Sequence, residues 1–157
     1  MLPQERMFAA LSHCQPDRVP VGEIGVDYPI TQQALGRETL YRAKWREYQA
    51  LWQGRRDEVV AHYKRDLVAL ARHFEWDFVP APLVPPRQPR YDPPTFLGPY
   101  RWRTPDGSEW AFSPESEGHA LRIHYPDLTV ADLTDLPPPD DSQFEVVEHI
   151  VKELGQT

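Results

Sequence analysis

At 157 residues and 18.2 kDa the chain has room for one ordinary domain, and its 40% hydrophobic content with five Trp, seven Tyr and six Phe excludes wholesale disorder. Its 18 Pro exclude a simple helical bundle, because each fixes φ and removes a backbone donor. Seventeen Lys and Arg against 24 Asp and Glu leave a net charge of −7, which repels a phosphate backbone, so nucleic acid is not an expected partner. No apolar run reaches membrane-spanning length and Cys14 is the single cysteine, so the expectation is a cytoplasmic chain with no membrane contact and no internal disulfide.

In chain order, the first element is a helix from Gln4 to about His13, which places Met7, Phe8 and Leu11 together. Pro16 and Asp17 close it with a turn. A buried strand, Arg18 to Ile24, follows with Val19, Val21 and Ile24. No proline lies between Thr31 and Val79, and that interval reads as helical. Leu40, Tyr41, Lys44, Trp45, Tyr48, Leu51 and Trp52 recur along one side of a helix that Gly54 stops. A second helix starts at about Asp57 with the stripe Val59, Val60, Tyr63, Leu67, Leu70, Ala71 and Phe74. Trp76 to Ala81, carrying Phe78 and Val79, reads as a second strand. Two strands joined by so long a helical crossover pair in parallel, which gives an α/β class.

From Val84 to Pro99 proline and basic residues predict an extended loop. Tyr100 and Trp102 then alternate on one side of Asp106-Gly107, with Trp110 and Phe112 on the other, the pattern of a β-hairpin. A third strand, about His119 to His124, joins it. Ser142 with Glu145 forms a capping box for a last helix whose apolar side is Phe144, Val147, Ile150, Val151 and Leu154. Charge is uneven: residues 105–157 hold 2 basic and 12 acidic side chains, the composition of a solvated surface or, beside Pro137 to Pro139, of a docking edge.

Several chemistries find no support in spacing. Gly22 and Gly25 lack the other glycines of a dinucleotide fingerprint, and there is no nucleophile elbow or His-Glu-x-x-His pair. His119 and His124 point to opposite faces of a strand, while His62 and His73 share a helix face but stand about 16 Å apart in rise, so neither pair chelates a metal. The aromatic set of the hairpin serves either as a binding platform or as a cross-strand cluster, and the cluster is the simpler reading.

The opening Glu5-Arg6-Met-Phe-Ala-Ala-Leu-Ser, with Gln15-Pro-Asp-Arg-Val-Pro-Val21, resembles the start of the uroporphyrinogen decarboxylase superfamily, which includes the corrinoid methyltransferases. Tyr63 to Val79, with Asp66 in the helix and Trp76-Asp77-Phe-Val after it, is similar to the following helix and second barrel strand of that group. The Pro-rich connection, the Trp-containing hairpin and a Pro-Asp-Asp before the last helix resemble its methyltransferase-like branch. The resemblance implies the N-terminal portion of a (β/α)8 TIM barrel, incomplete, with an inserted β-hairpin: residues 1–83 for the opening helix, two barrel strands and crossover helices, 84–139 for the loop and hairpin, and 140–157 for the C-terminal helix. A whole barrel takes about 250 residues, so the third strand is expected beyond this sequence.

The resemblance also places Glu23, Asp27 and Tyr28 at the rim of the first strand, where barrel enzymes hold their chemistry; these are the candidate catalytic residues. In the decarboxylases that place carries an arginine-rich segment for porphyrinogen carboxylates, whereas here it reads Gly22-Glu-Ile-Gly-Val-Asp-Tyr28, which disfavours the decarboxylase of tetrapyrrole biosynthesis. The methyltransferases use zinc held by one His and two Cys, a set one cysteine cannot supply, so no metal site is expected in this chain and zinc and corrinoid belong to a completed enzyme. The function implied is corrinoid-linked methyl transfer when a C-terminal-half partner chain, or a homo-oligomer, completes the fold. The alternative is a stand-alone, non-catalytic binding or interaction module.

Overall fold

A computed structural model describes residues 1–88, 93–115, 119–127 and 138–155. Among the described residues are five α-helices and a small antiparallel sheet: α1 Pro3–Leu11, α2 Tyr28–Leu35, α3 Trp45–Trp52, α4 Arg56–His73, β1 Thr95–Gly98, β2 Arg101–Arg103, β3 Glu109–Ala111, β4 Leu121–His124 and α5 Glu145–Leu154. The strands follow one another in the order β1-β2-β3-β4. The mixed helix-and-strand class therefore holds.

The long helix α4 organises the core, because its apolar stripe recurs at helical spacing and both its flanks find a partner. Val60, Leu67, Val68 and Leu70 pack with Val146 and Ile150 of α5 and with Val26, Tyr41 and Val84. Val59 packs instead with Leu40, Ala43, Ala50 and Leu51, so α3 and its entry loop cover the other flank. The hairpin turns where the sequence places it. Gly107 stands at φ +85°, a conformation that excludes most side chains, and Asp106 accepts the Ser108 N–H (3.2 Å) and the Thr104 hydroxyl (2.5 Å). Trp102 faces Trp110 across β2 and β3, and β4 adds the expected third strand.

The aromatic cluster extends beyond the hairpin. Trp102 lies 5.1 Å from Trp52 and 5.7 Å from Trp45, and Phe112 stacks on Trp45 at 5.5 Å, all ring centroid to ring centroid. The sheet is thus docked on α3 by edge-to-face and stacked rings, which contribute beyond their buried area.

Several expected elements are corrected. Arg18–Ile24 and Trp76–Ala81 form no strand ladder. The contacts Arg18–Glu75, Val21–Asp77 and Gly22–Phe78 show them running side by side in the same direction, yet one backbone bond joins them, Asp77 N–H to Val21 O at 2.6 Å. Pro20, Pro80 and Pro82 remove donors that a ladder needs. An unforeseen helix, α2, fills residues 28–35, with Pro29 in its first turn and Gly36 ending it at φ +63°. The helix expected from Leu40 begins only at Trp45, because Arg42 and Lys44 adopt left-handed φ of 50° and 54°. Within the expected loop 84–99, Thr95–Gly98 pairs with β2 as a strand.

At the C-terminal helix the capping box is Asp140 with Gln143, serving a 3-10 turn over Asp141–Phe144 that precedes α5. Val146 and Ile150 form the buried side, while Val151 is 63% exposed, so the apolar face is rotated from the expected one. Most of the stretch between β4 and that turn, residues 128–137 with Pro137, lies outside the described residues.

Candidate functional site

Two carboxylates with no side-chain exposure, Asp77 and Asp66, anchor the chain, and both are built from arginines. Asp77 receives Arg6, both Arg18 amino groups (2.6 and 3.1 Å) and the Val21 N–H (2.8 Å). Arg6 in turn grips Asp17 through Nε (2.6 Å) and Nη2 (2.9 Å). The Pro-Asp-Arg turn and the Trp-Asp segment are therefore one ion-pair network. Burial opposes ionisation of Asp77, but the Val21 N–H and the two guanidinium groups outweigh it and hold its carboxyl below the usual range. Asp66 is held likewise against burial by Arg65, Thr39 (2.6 Å) and Arg37. Every polar partner is consumed internally, so these are positioning centres, not reactive ones.

The three sequence candidates separate. Glu23 is exposed and its carboxylate accepts the neighbouring Ile24 N–H at 2.8 Å. Asp27 is the N-cap position of α2 but makes no side-chain cap; its Oδ2 lies 3.0 Å from Lys44 Nζ and its Oδ1 3.5 Å from Arg42 Nη2. Tyr28 opens α2 and packs half-buried against the Leu40–Ala43 side of the core. Asp27 and Tyr28 share a place with cations that sequence reasoning passed over.

That place is the junction of the α2 N-terminus, the 39–44 loop and the start of β4. Arg42 Nη2 stands 3.1 Å from His119 Nε2, and Arg42 Nε is buried without a hydrogen-bond partner. Lys44 is 6% exposed. Behind them Tyr63 donates its hydroxyl to Glu47 at 2.7 Å. Burial raises the Glu47 carboxyl to about 7 even though Tyr63 and Arg42 favour its charged form. Asp27 is disfavoured as an anion by burial, yet Lys44 and Arg42 keep it below the ordinary carboxylate range. His119 is lowered, chiefly by burial and next by Arg42, so it meets the guanidinium as a neutral acceptor. Lys44 also lines a recess of about 180 Å³ with Tyr28, Trp45, Arg46, Tyr100 and Phe112.

The structure offers no fit for zinc among the described residues. No group of three His, Cys, Asp or Glu side chains converges, and Cys14 is exposed with its thiol near Ser12 O at 3.6 Å. No helix of the described residues is long and apolar enough to cross a membrane. Compared with protein-family models, with curated proteins and with solved structures, the chain gives no significant match.

Proposed function

We propose that this chain is the opening part of a uroporphyrinogen decarboxylase-like, methyltransferase-type barrel and works when further polypeptide covers segments 18–24 and 76–81. The observation that carries the reading is an apolar seam. Val19, Val21 and Ile24 are 80%, 51% and 83% exposed, and Phe78 beside them is 39% exposed. An aligned pair of segments of this composition, fixed by Asp77, leaves apolar side chains for further polypeptide to cover. The placement of α1 agrees: its one buried residue is Arg6, while Phe8 and Leu11 are 60% and 69% exposed.

The chemistry of such a barrel, corrinoid-linked methyl transfer, falls to the completed protein. Zinc ligands do not assemble among the described residues, so no step of that chemistry is assigned to them. Their part is to set the seam and its rim, where Glu23 and Asp27 stand. A tagged copy recovered from its own host tests the reading by the intact mass of what accompanies it. A polypeptide bearing a His-x-Cys and a later Cys, lost when Val19 and Ile24 are changed to Asp, is expected. Recovery of the 18.2 kDa chain by itself would contradict it.

The stand-alone binding module draws on a different observation. The helical core and both arginine-bound aspartates are complete without any added segment.

A further inference from the structure

Arg42 carries a permanent positive charge whose one carboxylate contact, Asp27, is shared with Lys44. Its Nε is buried and unpartnered, its Nη2 faces a neutral imidazole nitrogen of His119 at 3.1 Å, and its nearest carboxylate oxygen, on Asp27, stands off at 3.5 Å. Its guanidinium also lies against the Gly25 backbone so closely that a Cβ there would come within 2.6 Å of Nη1. Asp27 meanwhile is taken by Lys44, at 3.0 Å. One carboxylate thus serves two fixed cations, and a buried donor left unpaired is unfavourable. The loop accepts left-handed backbone at both Arg42 and Lys44 to bring them there.

We propose that Arg42, Lys44 and His119 form a binding site for a small monocarboxylate with an apolar, aromatic-sized body. A single added carboxylate supplies the missing acceptor for Arg42 and balances the excess charge of the pair of cations over Asp27. The body of the acid is accommodated by the recess that Lys44 shares with Tyr28, Trp45, Tyr100 and Phe112, whose volume of about 180 Å³ suits one ring. The site uses the 39–44 loop and His119 just before β4, so it neither needs nor involves the apolar seam, and its test is independent of the completed-barrel reading.

Calorimetric titration of the purified chain with phenylacetate, acetate and the neutral isostere phenylacetamide provides that test, with the His119 imidazole resonances followed in parallel. The expected result is saturable binding of phenylacetate at about millimolar strength, at least tenfold weaker binding of acetate and of phenylacetamide, and a shift of His119. Arg42→Met should weaken phenylacetate at least tenfold while its thermal midpoint stays close to that of the parent. Lys44→Met serves as the second variant should Arg42→Met fail to fold. Equal binding of phenylacetamide, no binding of phenylacetate, or undiminished affinity in a folded Arg42→Met or Lys44→Met protein would overturn the proposal.

Discussion

Arg6 and Asp77, 71 positions apart, meet in a buried ion pair that joins the first helix to the segment after α4. Asp77 also binds the Arg18 side chain and the Val21 N–H, so a single carboxylate holds three parts of the chain in register. Its replacement by Asn would leave Arg6, itself nearly buried, with Asp17 as its remaining counterion and would take the carboxylate from Arg18. The expected cost is about 3 kcal/mol, read as a lower thermal midpoint, with faster proteolysis between Leu11 and Ile24 because α1 has little apolar packing to keep it in place.

The same networks set the acid limb of stability. Asp66 and Asp77 have folded-state pKa values below the ordinary 3.8, so their stabilisation is complete above that value and is lost as pH falls through the folded ones. A denaturation series should show stability declining below about pH 4, and Asp66→Asn should make that decline shallower at a lower starting stability.

Glu47 acts in the opposite sense. Its carboxyl rises from 4.5 to about 7 in the fold, so folding favours the protonated form; the contribution is present below 4.5 and is lost as pH rises towards 7. Over that window stability should fall by about 1–3 kcal/mol. Glu47→Gln, which keeps an acceptor for Tyr63, should flatten the slope; an unchanged slope would remove Glu47 as its source.

Trp102 is 2% exposed at the centre of the rings that dock the sheet on α3. Trp102→Ala should cost about 3–5 kcal/mol and abolish most of the near-ultraviolet circular dichroism. Far-ultraviolet helix signal should survive at low temperature, since α4 and α5 pack through a separate cluster.

What was legible in the sequence follows physical locality. The α4 stripe and the Asp106-Gly107 hairpin rest on spacing and turn chemistry within a few residues, and both stand in the structure. The aromatic residues of α3 were visible as one face, but nothing local says that this face meets Trp102. The strands at 18–24 and 76–81 fail because apolar alternation reports burial, and here Val19 and Ile24 are exposed and proline removes ladder donors. Helix α2 leaves little signal, because Tyr28-Pro-Ile-Thr has no side-chain cap and little periodicity.

At the candidate site, Asp27 and Tyr28 are legible in the sequence while Arg42, Lys44 and His119 are not. The spacing of Lys44 fits a helix that in fact starts one residue later, and left-handed φ at two cations carries no glycine or asparagine to announce it. Glu23, equally plausible from its place in the chain, turns to its own neighbour's amide.

The central claim is that the seam of Val19, Val21, Ile24 and Phe78 is an interface. Sedimentation equilibrium of the purified 157-residue chain at about 100 μM tests it most directly, with the Val19→Asp/Ile24→Asp double variant measured beside it. The account predicts a mass above 18.2 kDa for the parent, falling to 18.2 kDa in the variant with the helix content kept. A parent that sediments as an 18.2 kDa monomer and melts in one cooperative transition would contradict it.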